Sequence, residues 1–87
     1  MRELEKLLKT LANKRRLLIL KYLKENKKAS VGEIAGAINL SFRSTSKHLA
    51  ILSAADVVNR DQQGLQIFYS LNDIQKQPVK FILGNLI

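Results

Sequence analysis

Apolar residues recur at helical spacing along the first part of the chain. Leucines at every third or fourth position of ELEKLLKTLAN, with charged residues between them, predict a first helix with one apolar stripe. A second helix, KRRLLILKYLKEN, follows Asn13, which is a favourable N-cap residue, and is expected to fray over residues 26–28. These two segments predict that the chain begins with a pair of amphipathic helices.

Two short helices with a tight turn between them are predicted next. The stretch SVGE spaces Ser30 and Glu33 so that each side chain can bond the other's backbone N–H, which opens a helix through Ile38. Asn39 tolerates the left-handed conformation that closes a helix, and Ser41 can cap another helix almost at once. Two helices joined by a three-residue turn predict a helix-turn-helix unit.

Beyond Asp56 the pattern changes to that of β-strands. The β-branched and aromatic residues of VVNR and LQIFYSL flank the stretch DQQG, which predicts a β-hairpin with its turn there. Pro78 fits the first turn of a closing helix, PVKFILGNLI, whose apolar surface is expected to dock on something. No repeat or linker interrupts the sequence, so a single domain over residues 1–87 is expected.

The second helix of the helix-turn-helix unit has two different faces. A projection at about 100° per residue puts Thr45, Leu49 and Leu52 on a buried stripe, with Phe42 and His48 at its margins. The opposite face and its flanks carry Arg43, Ser44, Ser46, Lys47, Ala50 and Ala54. Short side chains suit entry into a major groove, and Arg can bond guanine with two hydrogen bonds. Helix capping and solvation would explain the same residues equally well if the helix stood alone.

Charge and composition favour a folded protein with a polyanionic partner. The chain has 15 Lys and Arg against 7 Asp and Glu, a net charge of +8, and a hydrophobic fraction of 46%. Cysteine is absent, which excludes disulfides, thiolate metal sites and cysteine nucleophiles. The run LLIL is too short for a membrane span, so a soluble cytoplasmic protein without a membrane partner is expected.

Several ordered pieces of the sequence match a known family. They are Arg16 with ILKYL, then SVGEIAGAI, SKHLAIL, AADVV and GLQIFYSL, within residues 11–71. In this order and spacing the chain closely resembles the arsenic-repressor (ArsR) family of winged-helix transcriptional regulators. The resemblance implies a mainly α fold with a small β-hairpin wing, the winged helix-turn-helix. It also implies a homodimer joined through the first and last helices, which represses transcription by binding double-stranded DNA at a palindromic operator.

The resemblance also assigns roles to residues. In the helix that would enter the groove, the resemblance implies DNA contacts from Phe42, Arg43, Ser46 and Lys47. Ser44, on the flank of the outward face, is expected to contact DNA as well. Those expected at the wing tip are Arg60, Gln62 and Gln63. Lys27 and Lys28, which precede a helix N-terminus, are expected to bind phosphate. The residues expected at the dimer interface are Leu4, Leu7, Leu8, Leu11, Phe81 and Ile82.

The sequence departs from the family at several positions. Many relatives sense metal through cysteines in the segment matching ASVGE, or through His and carboxylates in the last helix, and this chain has none of these there. We therefore expect no metal, no cofactor and an effector of another, unidentified kind. His48, the one histidine, is expected to be structural or to contact phosphate, and Asp56 stands where the family usually has Gly. The wing is also poorer in Lys and Arg than is usual.

Two further residues carry structural expectations. Thr45 stands where an apolar residue is typical, and its hydroxyl can bond a backbone carbonyl one turn back. Arg16 is expected either on a solvated face or in a structural ion pair.

Three other functions compete with DNA-binding regulation as explanations of the sequence. The main alternative is an architectural or protein-interaction winged helix that binds DNA weakly and without sequence preference. Catalysis by a serine is disfavoured because the one histidine has no evident orienting acid. RNA binding is disfavoured because most of the aromatic residues fall at positions expected in the core.

Overall fold

The computed structural model describes residues 2–73 and 79–86 of the chain. The elements along these residues are α1 (Arg2–Leu11), α2 (Lys14–Asn26), β1 (Lys28–Ser30), α3 (Val31–Ile38), α4 (Phe42–Ala54), β2 (Val58–Gln63), β3 (Gln66–Leu71) and α5 (Val79–Gly84). Helices predominate over one small antiparallel sheet, and α3 and α4 form the helix-turn-helix. The predicted winged helix-turn-helix is confirmed.

Side-chain caps begin three helices at the residues that the sequence predicts. The Asn13 carboxamide oxygen accepts hydrogen bonds from two backbone N–H groups in the first turn of α2, at 3.0 and 3.2 Å. Ser30 and Glu33 form the reciprocal capping box of α3, with bonds of 3.2 and 2.9 Å. The Ser41 hydroxyl accepts from the backbone N–H of Ser44 at 3.1 Å. These bonds satisfy N–H groups that a helix start leaves without intrahelical partners.

The turn between α3 and α4 also follows the prediction. Asn39 has the left-handed φ of 55° that ends α3, and its backbone N–H bonds back to the end of the helix. Asp56, which follows α4, is left-handed as well, with a φ of 59°. An aspartate tolerates this conformation better than most residues, so it can stand where the resemblance implies glycine, at a modest cost.

α2 lies at the centre of the hydrophobic core. Its Ile19, Leu20 and Leu23 are at most 1% exposed, so they lie entirely within the fold. The buried residues of the other elements that cluster with them include Leu11, Ile34, Leu49, Leu52, Tyr69 and Val79. The core therefore joins helices of both ends of the chain to the sheet.

The sheet contains a strand that the sequence pattern does not predict. Its three strands run in the order β1-β3-β2, and all pairs are antiparallel. The expectation of a fraying helix end over residues 26–28 is wrong, because Lys27 ends α2 with a φ of 58° and Lys28 pairs with Ser70 in β3. Ala29, which follows, is buried.

The hairpin turn lies further along the chain than predicted. β2 continues through the stretch DQQ, so that Asp61 pairs with Phe68 and Gln63 pairs with Gln66. The turn consists of Gly64 and Leu65, and Gly64 has a φ of 63°. Positive φ in a two-residue loop matches the twist of the flanking strands, which is why glycine suits this position.

The last helix is shorter than the predicted segment 78–87. Val79 and Leu83 of α5 are buried in the core, whereas Pro78 and Ile87 lie outside the described residues. Within the described part of the chain, none of the helices is long and apolar enough to cross a membrane.

A lysine of α2 holds the end of α5. The Lys24 ammonium donates hydrogen bonds to the carbonyl oxygens of Leu83 and Leu86, at 2.8 and 3.3 Å. The last carbonyls of a helix carry partial negative charge, so a cation is favourable there. This contact fixes α5 against α2 in addition to the packing of its apolar side chains.

Candidate nucleic-acid interface

α4 has one fully buried face, as its periodicity predicts. Thr45, Leu49 and Leu52 are all 0% exposed, and the two leucines belong to the core cluster with α2 and α3. A helix held along this stripe has its opposite face directed away from the protein. The helix-turn-helix packing therefore fixes which α4 side chains a partner can reach.

The outward face of α4 is cationic and otherwise built of small side chains. Its exposed members include Arg43, Lys47, Ala50 and Ala54, and Ser44 and Ser46 are half-buried at its flanks. Alanine side chains keep the helix narrow, and the hydroxyls can donate to or accept from phosphates and base edges. The surface combines a positive charge with a shape that fits a major groove.

Phe42 lies further from the core than the helical projection predicts. The projection puts it at the margin of the buried stripe, but its side chain is 62% exposed. Side chains of a helix tilt toward its N-terminus, and Phe42 is the first residue of α4. Its ring therefore projects at the helix end, where no preceding turn covers it.

His48 is linked to Arg16 of α2 rather than left to solvent. The Arg16 Nε donates a hydrogen bond to His48 Nδ1 at 3.2 Å, and a second guanidinium nitrogen donates to the carbonyl of Thr10 at 3.1 Å. Burial lowers the pKa of His48, and the charges of Arg16 and then Arg15 lower it further. The neutral imidazole serves as an acceptor. Arg16 is thus half-buried with neutral partners, and neither the solvated face nor the ion pair expected for it describes this arrangement.

The hydrogen bond expected for Thr45 is not formed. Its Oγ1 is buried and has no hydrogen-bond partner. The side-chain direction of a residue wedged between helices is set by packing, so the hydroxyl does not turn to the carbonyl one turn back. A buried hydroxyl without a partner costs about 1 to 3 kcal/mol.

The wing presents its residues on two faces. Cross-strand partners share a face of a sheet, so Arg60 lies on the face of its partner Tyr69, and Gln62 lies on that of Ile67. Tyr69 is buried, so this is the face that covers the core. Gln63 projects from the opposite face, where its amide donates to Asp61 Oδ2 at 2.9 Å.

The wing tip itself differs from the expected set of residues. Arg60 pairs with Tyr69 in the middle of the ribbon, so its predicted place at the tip is wrong, and of the expected residues Gln63 comes nearest to the turn. Leu65 occupies the turn and is 103% exposed. The position of Leu65 directly after Gly64 would have identified it as a tip residue if the turn had been predicted at residues 64–65.

Lys27 and Lys28 lie on the surface, but not at a free helix N-terminus. The Glu33 carboxylate caps the start of α3 by accepting a hydrogen bond from the backbone N–H of Ser30. The hydrogen bonds from Ser30 lower the pKa of this carboxyl group. The Lys28 ammonium lies 3.9 Å from Asp61 Oδ2 and 5.0 Å from the centre of the Phe68 ring. Phosphate binding by either lysine stays a prediction. It would rely on the lysine ammonium group alone, without help from the N–H groups of a free helix start.

The residues expected at the dimer interface divide by exposure. Leu4 and Leu8 of α1 are 41% and 44% exposed, and Phe81 of α5 is 67% exposed. Leu7 and Ile82 are half-buried against the core, and Leu11 is 2% exposed within it. The intact fold therefore leaves Leu11 almost no surface to offer to a second chain.

A groove runs between α1 and the C-terminal end of α4. Its volume is about 670 Å³, and its apolar lining includes Leu4, Leu7, Ile51, Ala54 and Ala55. The sequence pattern does not predict it, because it depends on how α1 crosses α4. The groove places Leu4 and Leu7 of α1 beside the C-terminal end of the candidate recognition helix.

The sequence matches a family of bacterial regulators. Residues 13–60 match the family model described as bacterial regulatory protein, arsR family. The transcriptional activator HlyU of Vibrio cholerae is 38% identical over 80 residues, which are 92% of this chain and 73% of that protein. The transcriptional repressor PagR of Bacillus anthracis is 37% identical over 67 residues, which are 77% of this chain and 67% of that protein.

Solved structures share the fold. The structure of reduced HlyU superposes with a TM-score of 0.79 at 36% identity, and the alignment covers 95% of this chain and 83% of that one. A homodimeric winged helix-turn-helix DNA-binding domain from Mycobacterium bovis superposes with a TM-score of 0.80 at 25% identity. That alignment covers 95% of this chain and 73% of the other.

Proposed function

The chain belongs to the ArsR family of bacterial regulatory proteins, and from this we propose that it regulates transcription as a homodimer bound to an inverted repeat in double-stranded DNA. The observation that carries the proposal is the outward face of α4, where Arg43 and Lys47 stand among small side chains on a helix held firmly from behind. In this geometry α4 enters the major groove and its side chains reach the base edges.

Charge supports DNA as the partner. The net charge of +8 attracts the phosphate backbone of either strand, and this attraction accounts for affinity without sequence preference. Sequence preference then requires contacts to base edges, for which Arg43 is the best-suited residue of α4 because its guanidinium forms paired bonds to guanine. Lys47 and the hydroxyl groups of Ser44 and Ser46 add contacts to the backbone or to the bases from α4. Arg60, Gln62 and Gln63 add contacts from the wing, and Lys27 and Lys28 bind phosphate.

A homodimer follows from the exposed apolar surface of the first and last helices. Leu4, Leu8 and Phe81 remain accessible in the single chain, and the related Mycobacterium bovis domain is homodimeric. Covering these side chains in a two-fold interface removes them from water. Two α4 helices in successive major grooves, about 34 Å apart, then require an operator with inverted half-sites.

We propose repression as the direction of control. Of the two relatives, one is an activator and the other a repressor, so membership in the family leaves the direction open. Occupancy of an operator that overlaps a promoter excludes polymerase and needs nothing beyond the DNA-binding surface. Transcription in vitro from a template with the operator inside the promoter should fall as the protein is added, and a rise would overturn repression alone.

The DNA-binding proposal is tested by fluorescence anisotropy. Duplex DNA from upstream of the protein's own coding region is compared with a scrambled duplex from about 50 to 300 mM salt. We expect the native duplex to bind at least about a thousandfold more tightly, with log K falling steeply against log salt. Weak and equal binding of both duplexes would favour the architectural or protein-interaction module instead.

The homodimer is tested by sedimentation with a matched pair of variants. Leu8→Glu places a charge in the proposed interface and should give monomers, whereas Leu18→Glu alters a leucine of similar exposure on α2, 38% against 44%. Leu18→Glu should leave the dimer intact. A wild-type chain that sediments as a monomer at micromolar concentration would overturn the dimer.

A further inference from the structure

We infer that Phe42 recognises the C5 methyl group of a thymine in each half-site of the operator, an inference that rests on the proposed DNA-binding function. No role in the core explains this phenylalanine. Its side chain is 62% exposed, whereas the residues of the buried stripe of α4 are 0% exposed. Burial of this exposed aromatic ring against a partner would remove its apolar surface from water and so favour binding.

The position of Phe42 is fixed by the start of the helix. Ser41 precedes it as the N-cap and accepts a hydrogen bond from Ser44 N–H at 3.1 Å, which holds the first turn of α4 in place. The N-terminal residues of a recognition helix are those that meet base edges in the helix-turn-helix geometry. The ring is therefore presented at the end of α4 that is proposed to meet the base edges.

The chemistry of the partner follows from the residues around the ring. Arg43 follows Phe42 in the chain, Lys47 lies just over one turn further along α4, and both are exposed cations, so the partner that meets this end of α4 is anionic. Of the groups that base pairs present in the major groove, the C5 methyl of thymine is the apolar one, and the others are hydrogen-bond donors and acceptors. A phenyl ring can form neither kind of conventional hydrogen bond, so the thymine methyl is the group it fits.

This contact also discriminates against other bases. Cytosine has a hydrogen at C5 where thymine has its methyl group, so the ring would bury less apolar surface against cytosine. Uracil in place of thymine removes the methyl alone and keeps every donor and acceptor. Thymine-to-uracil replacement therefore isolates the proposed contact from all hydrogen bonding.

The experiment begins with a duplex selected by the wild-type protein from a random pool. Each thymine of the selected site is replaced by uracil in turn, symmetrically in both half-sites, and binding is measured by anisotropy. One replacement should weaken wild-type binding about fourfold per half-site, or about 15-fold for the symmetric pair, the effect of burying one methyl group. Phe42→Ala should bind the thymine and uracil duplexes equally, and Phe42→Leu, which remains apolar, should keep most of the difference.

The outcomes separate this inference from the function on which it rests. A selected site that the wild-type protein binds with the same affinity after every uracil replacement overturns the thymine contact alone, as does a uracil effect that persists in Phe42→Ala. The first result needs no variant, so it stands even if Phe42→Ala fails to fold. A pool that yields no enriched sequence overturns the proposed function and this inference together.

Discussion

Arg16 Nε donates a hydrogen bond to His48 Nδ1 at 3.2 Å and so joins α2 to the middle of α4 across 32 positions of sequence. The same guanidinium donates to the carbonyl oxygens of Thr10 and Lys9 at the end of α1, at 3.1 and 3.5 Å. One side chain thus connects the helix that carries the proposed dimer stripe with the helix proposed to recognise DNA. These hydrogen bonds therefore restrain the packing of α1 and α4 against α2.

Arg16→Ala should destabilise the fold by about 1 to 3 kcal/mol, because it removes charge-assisted bonds and leaves half-buried acceptors without a donor. Urea unfolding followed by circular dichroism measures the loss. Arg15→Ala is the matched control, since it removes the same charge from an exposed neighbour and should change stability by less than about 0.5 kcal/mol. Equal losses from both variants would show that charge, and not the bonds to His48 and Thr10, is responsible.

The lowered pKa of His48 predicts how stability depends on pH. The folded protein resists protonation of this imidazole, whose ordinary pKa is 6.5, whereas the unfolded chain takes up the proton readily. The unfolded state therefore binds more protons between the folded pKa of His48 and pH 6.5. The contribution of His48 to stability is full above pH 6.5 and is progressively lost as the pH falls through the folded pKa.

Urea unfolding at about pH 7.5 and about pH 5.5 checks this sign. The wild-type protein should be less stable at the lower pH. His48→Asn keeps an acceptor oxygen close to the position of Nδ1 but does not titrate, so its stability should change less between the two conditions. Identical pH dependence in the two proteins would assign the effect to other groups.

Local signals made much of the fold predictable. A cap depends on residues within three or four positions, so Asn13, Ser30, Glu33, Asn39 and Ser41 could be assigned from the sequence, and all act as predicted. The two faces of α4 follow from helical periodicity in the same way, which is why the outward candidate residues were found.

Features that depend on distant parts of the chain were not predictable. The pairing of β1 with β3 exists only because the fold brings Lys28 beside Ser70, and Lys24 caps a helix 59 positions away. The wing residues were misplaced for a related reason. A hairpin register is set by its turn, and a turn within residues 61–64 is consistent with Arg60 near the tip, whereas the turn at residues 64–65 leaves Arg60 in the ribbon.

Thr45→Val should stabilise the protein. Valine has nearly the shape of threonine, and the change removes a buried hydroxyl that has no hydrogen-bond partner. We expect a gain of about 1 kcal/mol, which raises Tm by about 4 to 8 °C in a domain of this size. Thr10→Val is the control, because the Thr10 hydroxyl donates to the Lys6 carbonyl at 3.0 Å and its removal should bring no gain. A lower Tm for Thr45→Val would mean that the hydroxyl is satisfied in solution.

The DNA complex should be insensitive to transition metals. The sequence has no cysteine and one histidine, and the described residues contain no group of three or more His, Cys, Asp or Glu that could hold a metal ion. Titration of the complex with micromolar Zn²⁺ or Ni²⁺, followed by anisotropy, should leave the DNA bound. Release that a chelator reverses would contradict this expectation and point to a site formed in some other way.

Arg43 and Lys28 should affect DNA binding in different ways. Arg43 stands on the outward face of α4, so Arg43→Ala should reduce the preference for one base pair by about 1 to 3 kcal/mol. Lys28 lies on the sheet with its ammonium 3.9 Å from Asp61, so a phosphate must compete with a carboxylate for it. Phosphate contacts carry no sequence information, so Lys28→Ala should weaken specific and random DNA alike and reduce the salt slope by about 1.

Anisotropy with the selected duplex, single-base variants of it and random DNA measures both effects. If Arg43→Ala loses the same binding energy on every duplex, then Arg43 contacts phosphate and base recognition must come from other residues of α4. If Lys28→Ala binds as tightly as the wild-type protein at every salt concentration, then the Asp61 carboxylate already neutralises the ammonium. In that case the outer face of the sheet lies outside the DNA-binding surface, and contacts from the wing would have to come from the face that carries Arg60 and Gln62.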